Sequence, residues 1–136
     1  IMYEAFLDSV KEGDAQMKQG DMPACRREIE RARGLLTELM GSLDFQYEIS
    51  FYLRRLYIYS YHELCQGMAL RDSERFAHAT HVMEQLLPSF REVAKQDTSE
   101  AVMKNVQQIY AGLTYGRGSL NETIGVDIGK NRGFEA

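Results

Sequence analysis

Apolar residues recur every three or four positions along the first 111 residues, and only two prolines, Pro23 and Pro88, interrupt this spacing. Half-buried strands would instead alternate apolar and polar residues with a period of two. Six of the eleven glycines follow residue 111, where Ile124, Val126 and Ile128 do alternate. A single alternating segment has no partner strand in a helical chain. We therefore predict an all-α body over residues 1–111 and an extended, glycine-rich tail over residues 112–136.

Turn and cap residues divide this body into helices. Gly20-Asp21 ends the first helix, and Pro23 suits the first turn of the second because its missing N–H needs no partner there. Ser42 and Asp44 are candidate caps before the third helix, Asp72 before the fourth and Asp97 before the fifth. The predicted helices cover about residues 2–19, 23–40, 45–70 and 72–96, with a short fifth helix between residues 97 and 111. Long helices with short links favour an antiparallel four-helix bundle.

The third predicted helix carries more apolar surface than one core-facing side requires. At 100° per residue, its core side collects Ile49, Leu53, Leu56, Ser60, Leu64 and Gly67. Phe51, Ile58 and Cys65 recur every seven residues on the opposite side. Their flanks could also contact neighbouring helices of a bundle, but a helix that is apolar on two sides is either buried all round or presents one face to a partner.

The fourth predicted helix shows a weaker form of the same pattern. Its expected core stripe contains Phe76, Thr80, Met83, Leu87, Phe90 and Ala94. Val82 and Leu86 are displaced to one side of that stripe. Two such surplus stripes, on the third and fourth helices, predict a groove for an amphipathic helix or an extended peptide.

Charge and hydropathy exclude several classes of partner. The chain has 16 basic and 20 acidic residues, a formal net charge of −4 and no basic run longer than Arg26-Arg27 or Arg54-Arg55. Nucleic acids and anionic membranes are bound through clustered positive charge, so neither is expected as a partner. No segment approaches the ~18 apolar residues of a membrane-spanning helix, and membrane insertion is not expected. We expect a cytoplasmic protein with reduced cysteines. Because the chain begins at Ile1, we also expect upstream sequence.

Residues for catalysis are few, and we predict no enzyme activity, no cofactor and no metal. Cys25 and Cys65 have no neighbouring histidine or second cysteine, which favours small buried side chains over nucleophiles. His78 and His81 lie three residues apart, as in a surface metal pair, so a small metalloenzyme is an alternative. Neither has a glutamate three residues earlier, as ferritin-like carboxylate sites require. We therefore expect solvated histidines.

The junction between the second and third helices carries a recognisable pattern. Leu39-Met40-Gly41-Ser42-Leu43-Asp44, then Glu48-Ile49-Ser50, then Leu56-Tyr57-Ile58-Tyr59 follow one another in helical order. This order resembles the signature of the flagellar secretion chaperone FliS family, with its Leu-x-x-Ser-Leu-Asp loop, its Glu-Ile-Ala segment and its Leu-Tyr-x-Tyr segment. Ile1-Met2-Tyr3-Glu4-Ala5 is similar to the segment near the start of that family's first long helix. The resemblance covers about residues 1–96, and Gln46-Tyr47 departs from it where the family often has two glycines.

The resemblance implies a cytoplasmic export chaperone with an antiparallel four-helix bundle. Members of the family bind the disordered C-terminal segment of flagellin, prevent premature polymerisation and help to deliver the subunit to the flagellar type III export apparatus. Flagellin is therefore the expected partner, and the membrane export gate protein is a further partner reached through the flagellin complex. The alternative is a helical adaptor or scaffold whose apolar stripe is an oligomer interface.

The predicted flagellin-binding residues combine the surplus stripes with their polar edges. Phe51, Ile58, Tyr61 and Cys65 lie on the third helix, with Arg54, Arg55 and His62 at its edges. The second helix is expected to add Leu35 and Leu39, and the fourth Val82 and Leu86.

Overall fold

A computed structural model of the chain describes residues 2–95 and 99–116, and the side chains of residues 2–88 and 102–113. The described residues form five α-helices and no strand. Their bounds are α1 Met2–Lys18, α2 Met22–Gly41, α3 Ile49–Leu70, α4 Ser73–Lys95 and α5 Ser99–Gly116. The all-α prediction is confirmed. The alternating segment around Val126 and the expected cap at Asp97 lie outside the described residues.

The first four helices form the bundle, and α5 packs on its outside. α1 packs against α2 and α4, and α3 packs against the same two helices, so that α1 and α3 occupy opposite corners. α5 packs against α3 and α4. Tyr3 and Tyr57 join the opposite corners through the centre, where their hydroxyl groups meet and their rings lie 6.2 Å apart edge to face.

Two glycines let neighbouring helices approach closely. A Cβ atom at Gly13 would lie 2.8 Å from Cδ1 of Ile29, between α1 and α2. A Cβ atom at Gly67 would lie 2.5 Å from Cε1 of Phe76, between α3 and α4. Both distances are shorter than van der Waals contact, so a larger residue at either position would force the neighbouring side chain to move.

Asp72 caps α4 as predicted, and Asp21 caps α2, which was not predicted. The Asp21 carboxylate accepts a hydrogen bond from the Ala24 N–H (3.1 Å) in the first turn of α2, which also contains Pro23. The Asp72 carboxylate accepts one from the Glu74 N–H (3.0 Å) at the start of α4. Each satisfies a backbone donor that has no partner within its helix.

The predicted start of α3 is wrong by four residues, because the helix begins at Ile49 and not at Phe45. The Ser42 hydroxyl donates to the Leu39 carbonyl (2.8 Å), so it closes the end of α2 and does not cap α3. Asp44 accepts from the Gln46 N–H (3.0 Å) within a turn, and the Ser50 hydroxyl donates to the Asp44 carbonyl (2.7 Å). These side-chain bonds offer the backbone an alternative to the helix.

The fifth helix is longer than predicted. It has 18 residues and continues to Gly116, so the expected boundary between body and tail at residue 112 falls inside a helix. Val102, Val106 and Ile109 are buried as expected, and Leu113 extends the same buried face. Within residues 2–95 and 99–116, no helix combines the length and the hydropathy needed to cross a bilayer.

Candidate binding surface

The core side of α3 is placed as its periodicity predicts. Leu53, Leu56, Ser60, Leu64 and Gly67 are buried, and Ile49 is half-buried at the first turn. The Ser60 hydroxyl remains hydrogen-bonded in the core, because it donates to the Ala79 carbonyl of α4 (3.2 Å). The opposite side of α3 therefore points away from the bundle axis.

We call Phe51, Ile58 and Cys65 the outer stripe of α3. Phe51 is 51% exposed, and Ile58 and Cys65 are half-buried. From Phe51 to Cys65 the stripe extends about 21 Å, at 1.5 Å per helical residue. Within the described part of the chain, α5 packs outside the bundle and contacts α3 through Tyr52 and Arg55, not through the outer stripe. The outer stripe thus keeps apolar surface in contact with solvent.

The turn before α3 extends this apolar surface. The Phe45 and Phe51 rings lie 5.1 Å apart, and Phe45 is 45% exposed. Tyr47 is 63% exposed. The prediction omitted Phe45 and Tyr47 because it placed them inside the helix. The signal that was available in the sequence is Asp44, whose side chain favours a turn at this position.

Tyr61 borders the outer stripe on the side of α2. The Arg33 guanidinium donates from Nη2 to the Tyr61 hydroxyl (3.0 Å) and lies 5.0 Å from the centre of its ring. The hydrogen bond to Tyr61 raises the pKa of the Arg33 side chain, which therefore carries its positive charge at any physiological pH. Nothing in the sequence pairs Arg33 with Tyr61, because the two residues lie 28 positions apart on different helices.

The polar residues expected at the edges of the stripe divide into two groups. Arg54 and His62 are exposed. Arg55 is half-buried, and its guanidinium lies 5.9 Å from the centre of the Tyr110 ring of α5. Tyr110 in turn packs edge to face on Tyr52 of α3, with ring centres 5.7 Å apart. Arg55 is therefore engaged in the contact between α3 and α5.

Three of the predicted binding residues lie in the core. Val82 and Leu86 are fully buried, and Leu39 is 8% exposed. The expectation that α4 carries a surplus stripe on a groove is therefore wrong. Its buried face contains Phe76, Ala79, Val82, Met83 and Leu86, whereas Thr80 and Leu87 are half-buried. The buried face of α4 is therefore turned from the predicted one. Leu35 of α2 is half-buried and packs against the core.

The alternative metal pair is not assembled. His78 is drawn between two carboxylates, with its Nδ1 atom 3.4 Å from Glu63 and its Nε2 atom 3.7 Å from Glu74, whereas His81 is exposed. Among the described side chains, no three His, Cys, Asp or Glu residues are grouped as a metal site would require. Cys25 is fully buried and burial raises the pKa of its thiol, which makes it a poor nucleophile.

The family model of the flagellar protein FliS matches residues 1–97. The chain belongs to the FliS family. The match spans α1 to α4 and ends before α5, so the bundle carries the FliS relationship and α5 lies beyond it. A search of curated proteins finds no match.

Membership of the FliS family implies a role as a flagellar export chaperone with a protein as its partner. The FliS family is a chaperone family that is not known for enzyme activity. The partly exposed apolar side of α3 is a surface of the kind that such a role requires.

Proposed function

We propose that this chain binds the disordered C-terminal segment of flagellin in the cytoplasm and holds it until export. An unpaired amphipathic end makes a filament subunit self-associate, and covering that end blocks polymerisation. The resulting complex would then be delivered to the membrane export gate of the flagellar type III apparatus. FliS family membership supports the chaperone role, and the surface of α3 supports the mode of binding.

The outer stripe of α3 is the observation on which this proposal depends. Phe51, Ile58 and Cys65 retain solvent contact on the side of α3 opposite its core-facing residues. Phe45 and Tyr47 enlarge the same surface at the end of the stripe where Phe51 lies. A stripe of this length matches about four turns of an amphipathic helix, whose anchors recur at three- and four-residue intervals.

The energetics favour a tight but reversible complex. Full burial of a large apolar side chain contributes ~1.5–3 kcal/mol, and these side chains are already partly buried, so each adds less. A segment that folds on binding loses ~2–5 kcal/mol of the gross interaction energy in ordering. Several apolar side chains of the peptide must therefore bind together. The loss of one such contact at the export gate would weaken the whole interface.

A binding assay with the C-terminal peptide of the cognate flagellin tests the proposal. We expect saturable binding at micromolar concentration or below, with a gain in helical circular dichroism as the peptide orders. A folded chain that fails to bind the peptide at micromolar concentration would contradict the proposal.

The same stripe would also suit an adaptor in which two copies of the chain pair through α3. Light scattering of the protein without peptide separates the two functions. We expect a monomer whose mass increases by one peptide on titration. A stable dimer that buries Phe51 and Ile58, and that the peptide does not dissociate, would favour the adaptor.

A further inference from the structure

A cleft of about 440 Å³ lies between the first half of α2 and the last half of α3. Three arginines and three sulfur-containing side chains account for most of its wall. We call it the arginine cleft, and these six residues are Arg26, Arg33, Arg71, Met22, Cys65 and Met68.

The wall of the arginine cleft carries three positive charges. No carboxylate lines it, and none of its three arginines forms an ion pair with another described residue. The Nε atom of Arg33 is buried and has no hydrogen-bond partner within the described part of the chain. Tyr61 holds the Arg33 guanidinium in place through a hydrogen bond and its ring. In a chain of net charge −4, the three guanidinium groups are a local concentration of hydrogen-bond donors for an anion, and that of Arg33 is held in place by Tyr61.

The floor of the arginine cleft is apolar and adaptable. The Cys25 thiol donates to the Met68 thioether (3.4 Å) beneath it, and Met22 and Cys65 add further sulfur atoms. Methionine side chains adjust to irregular apolar ligands. An inorganic anion gains nothing from such a floor, so the cleft is suited to a ligand that joins a carboxylate to an apolar side chain.

We propose that the arginine cleft binds the C-terminal carboxylate of the flagellin segment together with its last apolar side chain. This inference rests on the proposed function and specifies one end of the bound segment. Cys65 belongs both to the outer stripe and to the cleft, so a segment that follows the stripe towards the end of α3 arrives there. At the cleft α3 ends at Leu70, and Arg71, which lines the cleft, turns the backbone with φ 53°. No further α3 surface is available, as expected where a bound chain terminates.

Two synthetic peptides with the same flagellin sequence test this inference by calorimetric titration of the full chain. One ends in a free carboxylate and the other in an amide. We expect the amide to bind about tenfold more weakly, the loss that corresponds to one charge-assisted contact. Free-acid binding should also weaken with added salt more steeply than amide binding.

Variants connect the difference to the cleft. In the double variant Arg26→Gln, Arg71→Gln we expect the two peptides to bind with equal affinity. Arg27→Gln is the matched control, because it removes an exposed charge from the neighbouring position on α2, outside the cleft. It should preserve the tenfold difference. If circular dichroism shows that the double variant does not fold, Arg26→Gln alone, on the exposed side of a helix, should reduce the difference.

Alkylation of Cys65 gives an independent measure of occupancy. We expect the free-acid peptide to slow the reaction of Cys65 with an uncharged reagent more than the amide does at equal concentration. Cys25 is fully buried and should remain unmodified throughout, which verifies that the chain stays folded.

The outcomes separate this inference from the proposed function. Equal affinities of the two peptides for the unmodified chain would overturn the carboxylate site and leave flagellin binding intact. The salt dependence gives a second check. If it disappears when the acidic side chains of the peptide are replaced, but persists when the C-terminus is amidated, the carboxylate site is likewise overturned. Competition by inorganic phosphate as effective as that by the free acid would show a general anion site and also overturn it. Absence of binding by both peptides would contradict the proposed function itself.

Discussion

Gly67 of α3 lies directly beneath the ring of Phe76 of α4. A Cβ atom at position 67 would lie 2.5 Å from Cε1 and 2.6 Å from Cδ1 of that ring. Phe76 is 2% exposed and is enclosed by the core, so the ring cannot move aside freely. The absence of a side chain at Gly67 thus allows the close packing of α3 on α4.

We expect Gly67→Ala to lower the free energy of unfolding by about 1–3 kcal/mol, the usual cost of overpacking a core. Gly34→Ala is the matched control, because Gly34 is an exposed position inside α2 with no atom within 4 Å of the added Cβ. It should stabilise the chain by up to about 1 kcal/mol through helix propensity. Urea unfolding at neutral pH measures both, and a neutral or stabilising effect of Gly67→Ala would contradict the packing.

Glu63 is a buried carboxylate held by two basic side chains. Its oxygen atoms lie 3.2 Å from Nη1 of Arg75 and 3.4 Å from Nδ1 of His78. We expect Glu63→Ala to cost about 2 kcal/mol, less than a fully buried pair because Arg75 is one-third exposed and can regain water.

The control for Glu63 is Glu74→Ala, which removes the other carboxylate near His78. Glu74 is 79% exposed, and an exposed pair contributes under about 1 kcal/mol. Thermal unfolding of the two variants should therefore separate them clearly. Equal effects would show that burial of Glu63 is unimportant.

The buried tyrosine pair predicts a loss of stability at alkaline pH. Burial raises the pKa of Tyr57 to about 12, and burial beside Tyr57 raises the pKa of Tyr3 as well. Above the ordinary tyrosine pKa near 10, the unfolded Tyr57 loses its proton while the folded one keeps it. The unfolded state then binds fewer protons, so stability is complete below pH 10 and falls as the pH rises towards 12.

We expect Tyr57→Phe to make stability less dependent on pH in this window, and to cost about 1 kcal/mol at neutral pH through the lost hydrogen bond. Tyr47→Phe removes the hydroxyl of an exposed ring, so its stability should depend on pH in the same way as that of the unmodified chain. Urea midpoints at several pH values between 8 and 11.5 measure the slopes. The pair is not buried in solution if Tyr57→Phe and the unmodified chain lose stability in parallel.

Ile58→Asp should separate flagellin binding from folding. A carboxylate in the middle of the outer stripe would be desolvated by a bound peptide, so we expect affinity to fall at least about tenfold. Gln85→Asp introduces the same side chain at an exposed position of α4 and should bind normally. Circular dichroism should show both variants helical. Unfolding of Ile58→Asp would instead place Ile58 in the core.

The helical body follows from the sequence because its signals are local. Periodicity identified the helices and the core side of α3, and Pro23 and Asp72 indicated two helix starts. The start of α3 was missed because Ser50 and Asp44 bond to the turn, a competition between side chains and helix that periodicity does not record. The residue pattern around Leu56 and Tyr57 also indicated the FliS family.

The distribution of apolar residues between core and surface was decided by tertiary structure. Phe51 and Val82 both lie off the predicted core side of their helices, yet Phe51 is 51% exposed and Val82 is fully buried. Helix periodicity defines the angle between side chains around the helix axis. Whether a side chain is buried depends on which neighbouring helix packs against that side. α5 packs against α3 and α4 and leaves Phe51 in contact with solvent. The pairing of Arg33 with Tyr61 likewise required two helices brought together by packing.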